Sequence, residues 1–300
     1  MKPLVKLGIW VGVILLLVLL YVLTPVGPIT RAAVQRISAG IARMPGIAWA
    51  REQMNQETAP SSSDQPPENI DEIRSLIETG QDRQGEDAVE AAIEQYRRAV
   101  DLDEAYAPSR VALAGAYMQI GRNEEAIAEL QRAAELAPDQ AFVWFRLGAL
   151  LVREERYDEA IDALDSGLPL DDTNADAHYW LGVALHYRTF EDTSRAVSEL
   201  ERSVALDPEA PENYYQLALA YTNRDWPDDA SKAIQAYQRV VALDPDQIEA
   251  YYHMGQLYMR EGDSENAIDV WRYYVANGDD PERVETVSAW IAAVESAQSE

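Results

Sequence analysis

The 300-residue sequence contains no cysteine, and basic residues are scarce. Without cysteine the chain can form no disulfide, no Cys-ligated zinc or iron–sulfur site and no thiol nucleophile. The 25 lysines and arginines face 52 aspartates and glutamates, which gives a formal net charge of −27. Nucleic acids are bound mainly through lysine and arginine, so this balance argues against a nucleic-acid partner and leaves basic proteins or peptides as candidates.

Patterns that would support catalysis are also missing from the sequence. Only three histidines are present, and His178 and His186 lie eight residues apart, which is not the i, i+4 spacing of a helical metal pair. We find no glycine-rich phosphate loop and no nucleophile elbow. The acidic cluster at 162–172 lacks the glycine turn of a calcium loop. We therefore predict that the chain is not an enzyme and holds no metal or other cofactor.

Charge divides the chain into two parts. Residues 1–70 carry six basic and four acidic side chains, whereas residues 71–300 carry 19 basic and 48 acidic ones. The first part also contains the one long apolar run, residues 7–26. The two parts are therefore expected to lie in different environments.

The apolar run predicts a membrane segment. No charge occurs between Lys6 and Arg31, and twenty helical residues span about 30 Å, the thickness of a hydrocarbon core. A cleaved signal peptide is the alternative, but residues 24–28 offer no A-x-A-like site. We expect residues 1–27 to be a retained transmembrane signal anchor.

Residues 28–54 follow as a basic amphipathic segment. From 29 to 44 the apolar side chains fall on one side of a helix, and Arg31, Arg36 and Arg43 fall on the other. Such a helix can lie in the headgroup layer with its arginines on anionic lipid, or it can pack against protein. Both interpretations stay open.

Residues 55–69 have three prolines and no large apolar side chain, which is typical of a disordered linker. Together these segments predict a single-pass protein of a bacterial inner (plasma) membrane. Positive residues are nearly balanced on the two sides of the span, with a slight preference for an extracytoplasmic position of the following domain.

Beyond residue 70 the chain repeats itself. Alanine recurs at spacings of 34 to 37 residues, at Ala92, Ala126, Ala160, Ala196, Ala233 and Ala267. A second small residue recurs in phase, at Ala114, Gly148, Gly182, Ala218 and Gly255. Three units close with a proline twelve residues after the alanine, at Pro138, Pro208 and Pro245. A period near 34 predicts stacked helical hairpins.

These positions resemble the tetratricopeptide repeat (TPR) pattern W-x2-L-G-x2-Y...A-x3-F...P. The resemblance implies an all-α fold. We expect a right-handed α-solenoid of about six hairpins over residues 70–280, preceded by the transmembrane helix and closed by a capping helix and tail at 281–300.

In that family the first helix of each hairpin lines a concave groove that binds peptides. Carried over position by position, the resemblance places an aromatic and apolar groove at Phe142, Phe145, Tyr179, Val183, Tyr187, Tyr215, Leu219, Asn223, Tyr252 and Met259. Acids on its rim, Asp176, Glu212 and Glu249, favour a ligand with a basic flank. The alternatives are that the aromatics pack sideways on neighbouring repeats, or that the chain's own N-terminal segments fill the groove.

Units four and five are longer than the others in the turn between their paired helices. Phe190 and Trp226 lie in these insertions and would form a second binding edge, unless each folds back on its own hairpin.

The sequence thus predicts a membrane-anchored scaffold that recruits a protein or peptide with apolar anchors to the bilayer. The alternative is a permanent assembly or accessory subunit of a larger membrane-bound enzyme complex. Neither function fixes the oligomeric state.

Overall fold

The computed structural model describes the residues numbered 71–72, 75, 86–188 and 193–298. The predicted signal anchor, amphipathic segment and linker, together with nearly all of the first helix of the first unit, lie outside the described residues. Within the described part of the chain, no helix combines the length and apolarity needed to cross a bilayer.

The described residues contain no β-strand, and from residue 86 onward they form twelve α-helices. The helices are α1 (Glu86–Leu102), α2 (Ala107–Gln119), α3 (Asn123–Leu136), α4 (Ala141–Arg153), α5 (Tyr157–Gly167), α6 (Ala175–Arg188), α7 (Thr193–Leu206), α8 (Pro211–Arg224), α9 (Asp229–Leu243), α10 (Ile248–Arg260), α11 (Ser264–Asn277) and α12 (Pro281–Gln298).

The helices pair as hairpins, with α2 on α3, α4 on α5, and so on to α10 on α11. Each hairpin also packs on the next, and the first helices α4, α6 and α8 touch one another in turn. The all-helical solenoid is thereby confirmed, with five complete hairpins following α1, the second helix of the first unit.

The recurrent alanines lie where the paired helices meet. Ala126, Ala160, Ala196, Ala233 and Ala267 are all 0% exposed. In α3 the buried residues are Ala126, Ile127, Leu130, Ala133 and Ala134, which is the i, i+3, i+4 face of an amphipathic helix. One such face per helix packs into a core that continues from hairpin to hairpin.

The small residue that recurs in each first helix allows the two helices of a hairpin to approach each other closely. A methyl group built on Gly182 would stand 2.5 Å from Cγ of the buried Leu200, and one on Gly255 would stand 2.1 Å from Nε1 of Trp271. A Cβ atom does not fit at either distance. The glycines are therefore required by packing and not by backbone conformation.

The tight turns inside three hairpins use a left-handed residue at one shared position. Gly121 and Gly262 adopt φ values of 71° and 79° there, and Glu155 occupies the same position with φ 59°. Glycine adopts this conformation without steric cost, whereas a glutamate does not.

Helix α12 covers the open end of the last hairpin. Its Val287 is 0% exposed, and Val284, Trp290 and Ile291 pack beside it on the cluster formed by Ala267, Trp271 and Tyr274. A solenoid needs such a cap because its terminal hairpin would otherwise expose an apolar side.

We predict that Gly255→Ala destabilises the protein although alanine is the better helix former. Overpacking against Trp271, which is 3% exposed, should cost about 1–3 kcal/mol and outweigh the gain of about 1 kcal/mol in helix propensity. Thermal unfolding followed by circular dichroism should show a lower midpoint.

Gly115→Ala is the matched control, because a methyl group on Gly115 meets nothing within 4 Å. This variant should gain up to about 1 kcal/mol. A Gly255→Ala protein as stable as the parent would show that α10 and α11 do not need their close approach.

Candidate functional site

The first helices present a common surface, which we call the first-helix face, formed by α4, α6, α8 and α10. One predicted groove residue, Phe142, and the three predicted rim acids, Asp176, Glu212 and Glu249, are the second residues of these four helices. They therefore occupy the same position in successive first helices.

The ten predicted groove residues differ in exposure. Phe145 and Val183 are buried, at 8% and 6% exposure. Tyr187 is 49% exposed and Asn223 is also exposed. The other six are half-buried: Phe142, Tyr179, Tyr215, Leu219, Tyr252 and Met259. Most of the predicted groove is thus partly accessible, and its two buried members belong to the layer beneath.

Several tyrosines on and beneath the first-helix face have raised pKa values. Burial is the main cause that raises the pKa of Tyr179, of Tyr215 and of Tyr237, which belongs to the second helix α9, and an electrostatic effect of Tyr187 adds to each shift. Burial and Glu212 are the leading causes that raise the pKa of Tyr179 to about 12. These phenols are neutral at ordinary pH and can both donate and accept hydrogen bonds.

Between α8 and α10 the aromatic rings pack on one another. His253 stacks on Tyr237 with ring centroids 5.6 Å apart, and Tyr215 meets both rings edge-on at 5.6 and 6.2 Å. Tyr215 therefore contributes to packing between hairpins while remaining half-buried. Tyr215 thus both packs against the neighbouring repeat and leaves part of its ring accessible.

His186 and Asn223 join α6 to α8. Nδ2 of Asn223 lies 3.0 Å from Nε2 of His186, within hydrogen-bond distance. Burial lowers the pKa of His186, so the neutral ring persists at physiological pH. The two residues are 37 positions apart in the sequence, and this spacing did not predict that they would be in contact.

At the C-terminal end of the face, an arginine of the capping helix reaches α10. Nη1 of Arg283 lies 2.5 Å from Oε2 of Glu249, and the guanidinium lies 5.3 Å from the ring centroid of Tyr252. Tyr252 also stacks near Trp290, at 6.0 Å. The repeat pattern includes Glu249 and Tyr252 but not Arg283, because the cap lies outside that pattern.

Acidic groups collect at the N-terminal ends of α6 and α8. Asp176 is exposed, and its pKa is raised by loss of solvent around the carboxyl group and by repulsion from Asp207 and Glu212. The electrostatic potential at this rim of the first-helix face is therefore negative.

The second predicted edge is described only in part, since Phe190 lies outside the described residues. Trp226 is 56% exposed, and the guanidinium of Arg224 lies 4.3 Å from its ring centroid. Asp229, whose side chain is 1% exposed, accepts from Arg224 and from the backbone N–H of Trp226 at 2.9 Å. This turn is thus folded onto its own hairpin while the indole stays accessible.

Among the described residues, no group of three or more His, Asp or Glu side chains is placed to hold a metal ion. The accessible chemistry of the face consists of phenol, imidazole, carboxamide and carboxylate groups over an apolar base. This combination is suited to binding a peptide.

Family models agree with the repeats. A TPR repeat model matches residues 114–155, 150–187 and 229–262, and a tetratricopeptide repeat model matches residues 249–277. Small glutamine-rich tetratricopeptide repeat-containing protein 2 of Mycosarcoma maydis is 34% identical over 87 residues, covering 28% of this chain and 24% of that protein. The chain spans between 20% and 24% of the length of the curated relatives it matches.

Solved structures show the same fold. The TPR protein YrrB, described as having an unusual peptide-binding site, superposes with a TM-score of 0.58 at 23% identity, covering 66% of this chain and 100% of YrrB. PilF of Pseudomonas aeruginosa superposes with a TM-score of 0.60 at 18% identity, covering 73% and 97% of the two chains. At these identities the likeness concerns the fold alone.

The half-buried imidazole of His253 predicts a pH dependence of stability. Burial lowers its folded pKa below 6.5; the ionised groups near it are Glu249 and Arg283, and the rings of Tyr215, Tyr237 and Tyr252 surround it. As the pH falls through about 6.5, the unfolded state takes up the proton first, so the free energy of unfolding decreases by up to about 1.4 kcal/mol per pH unit.

Chemical denaturation between pH 5 and 7 measures this slope. His253→Phe keeps an aromatic ring in the stack and removes the titration, so its slope should be smaller than that of the parent. An identical slope would assign the pH dependence to other groups.

Proposed function

Since the chain belongs to the tetratricopeptide repeat family, we propose that it is a membrane-anchored scaffold that binds a protein partner through its first-helix face. The supporting observation is the row of accessible aromatic and polar side chains on α6, α8 and α10. Tyr187, at 49% exposure, is the most open large side chain in this row. TPR folds mediate protein–protein interaction, and an apolar anchor seated among such rings contributes about 1.5–3 kcal/mol.

The ligand that suits this face is an extended or helical peptide with apolar anchors and a basic flank. Aromatic rings provide the apolar surface, and Asp176 and Glu212 provide negative charge along one rim, where Glu249 is paired with Arg283. A terminal carboxylate would meet repulsion from these acids. Peptide capture requires only a few well-placed anchors, in contrast to a permanent subunit interface, which buries a much larger apolar area.

Membrane attachment is the second part of the proposal and rests on the sequence. Residues 7–26 are long and apolar enough to span a bilayer, and residues 29–44 can rest on anionic headgroups. We propose a single-pass protein of the bacterial inner membrane whose repeats project from the extracytoplasmic side. A partner held on the first-helix face would thereby be concentrated at the membrane.

Photocrosslinking tests the binding face. A benzoylphenylalanine at position 187 in the intact, membrane-embedded protein should capture one dominant protein, identified by mass spectrometry. The same photoreactive residue in place of Ser198, which is exposed on the second helix α7, is the control and should not capture it. A partner captured equally from position 198, or none from position 187, would contradict the proposed face.

Tyr187→Ala should weaken binding of the captured partner about tenfold, which corresponds to roughly 1.4 kcal/mol. Because half of the side chain is already in solvent, the midpoint of thermal unfolding should change little. Fluorescence anisotropy with the labelled partner measures the first quantity and circular dichroism the second. Undiminished affinity would exclude Tyr187 as an anchor.

Deletion tests the anchor. The chain lacking residues 1–56 should stay in the supernatant when membranes are sedimented, whereas the full chain should sediment with them and resist an alkaline wash. Deleting residues 57–66 instead shortens the linker and keeps the anchor, so that variant should still sediment. Membrane retention of the first variant would contradict an N-terminal anchor.

A further inference from the structure

The side chain of Tyr237 ends in a hydroxyl group to which the fold gives no partner. Tyr237 belongs to the second helix α9 and is 0% exposed. Its Oη is one of four buried side-chain atoms among the described residues that form no hydrogen bond; the others are Oγ of Ser109, Nδ1 of His186 and Oε1 of Gln216. A buried hydroxyl without a partner costs folding free energy, so its presence calls for a reason other than packing.

Packing does not require a hydroxyl group at this position. Tyr237 is the fourth residue after the recurrent Ala233, and three other hairpins have a leucine there, at most 1% exposed: Leu130, Leu164 and Leu200. In the last hairpin the equivalent residue is Trp271, whose Nε1 donates to the carbonyl oxygen of Tyr252 at 3.2 Å. Tyr237 differs from these four residues because its polar group is buried and unsatisfied.

The ring of Tyr237 lies between two first helices. It stacks on His253 of α10 with ring centroids 5.6 Å apart, and Tyr215 of α8 meets it edge-on at 5.6 Å. Burial is the main cause that raises the pKa of Tyr237, and electrostatic effects of Tyr215 and Tyr187 add to the shift. Both of these tyrosines belong to the first-helix face. The hydroxyl end of Tyr237 is therefore directed towards that face.

On the side of the face, the neighbour of Tyr237 is the half-buried ring of Tyr215. No hydrogen bond to a described residue holds the Tyr215 side chain, which is kept in place by its ring contacts with Tyr237 and His253. Rotation of this one side chain would uncover the hydroxyl group of Tyr237 while the helices keep their positions.

The chemistry of the site favours a neutral acceptor. The groups that act electrostatically on Tyr237 are themselves tyrosines, so a carboxylate entering between the rings would be desolvated without a counter-charge. The raised pKa keeps the phenol protonated and able to donate. A carbonyl oxygen, from the main chain or from an Asn or Gln side chain, accepts such a hydrogen bond without carrying charge.

We propose that the hydroxyl group of Tyr237 is a binding group of the first-helix face, which donates a hydrogen bond to a neutral carbonyl oxygen of the bound partner when the ring of Tyr215 turns aside. The inference rests on the proposed function and deepens it. It adds a binding residue from a second helix and names the chemical group of the partner that this residue contacts.

A random 12-residue peptide library displayed on phage provides the probe. The library is selected on the full-length protein in detergent micelles, and the enriched peptides are synthesised with a fluorescent label. Peptides that bind Tyr187→Ala at least fivefold more weakly than the parent protein are ligands of the first-helix face, and these are used in the next measurements.

Tyr237→Phe removes the hydroxyl group and keeps the ring. Fluorescence anisotropy should show that the selected peptides bind this variant about fivefold more weakly, the loss expected for one hydrogen bond. Because the hydroxyl is unsatisfied in the free protein, the midpoint of thermal unfolding should stay the same or rise by about 2 °C. The variant would thus lose affinity without losing stability.

Tyr221→Phe is the matched control. Tyr221 is also buried, at 6% exposure, but its hydroxyl already donates to Glu201. This variant should have a lower unfolding midpoint and should bind the peptides within twofold of the parent. If Tyr237→Phe keeps the parent affinity, the hydroxyl contacts no ligand. If it unfolds at a lower temperature, as the control does, the hydroxyl is already satisfied in the free protein, for example by a trapped water. Either result would overturn the inference.

A scan of the best peptide identifies the source of the carbonyl. Each main-chain amide is replaced in turn by an ester, whose carbonyl is a weaker acceptor, and each Asn or Gln by Ala. One replacement should weaken binding to the parent but not to Tyr237→Phe, and its place distinguishes a main-chain from a side-chain carbonyl. If no replacement is coupled to Tyr237 in this way, the proposed hydrogen bond does not exist.

These measurements separate the inference from the function on which it depends. Peptides that require Tyr187 but bind Tyr237→Phe as tightly as the parent would overturn only the role of Tyr237. If no selected peptide depends on Tyr187, the first-helix face is not a peptide-binding surface and both proposals fall.

Discussion

The close contact between the two helices of each hairpin is the constraint on which the rest of the structure depends. Gly148, Gly182 and Gly255 leave no room for a Cβ atom, because Leu164, Leu200 and Trp271 of the partner helices occupy that space. This contact fixes the rotation of each first helix about its axis. The second and fifth residues of α4, α6, α8 and α10 are thereby held at fixed angles to this contact and reach a common face.

In the proposed function, packing and binding would use neighbouring atoms of the same side chains. Tyr215 presents one edge to Tyr237 and His253 within the solenoid and remains half-buried, so its other side is open. The face is consequently rigid before any ligand arrives, which reduces the conformational entropy lost on binding. Rings held by their neighbours are better suited to this role than isolated exposed aromatics.

The repeat period and the recurrent small residues were sufficient to predict the hairpins, their order and the second residue of every first helix. This is because such positions are determined locally, by contacts between residues about twenty apart. The contacts across hairpins were not predictable: His186 with Asn223 and Arg283 with Glu249 join residues 37 and 34 apart, and the acid at the Glu249 position recurs whereas its partner Arg283 does not. The repeat pattern does not determine which side chains form these contacts, so no periodic pattern in the sequence indicates them.

Charge is distributed unevenly along the helices of the first-helix face. Acids stand in the first turn of α6, α8 and α10 and arginines in the last, as the helix dipole favours. These arginines are already engaged within the chain, since Arg188 pairs with Asp158, Arg224 with Asp229 and Arg260 with Asp225. At the opposite rim the cation on Glu249 is Arg283, which comes from the cap at the far end of the array. In a chain with a net charge of −27, the arginines in the last turns of α6, α8 and α10 are thus paired internally, and the charge that remains on the face is negative.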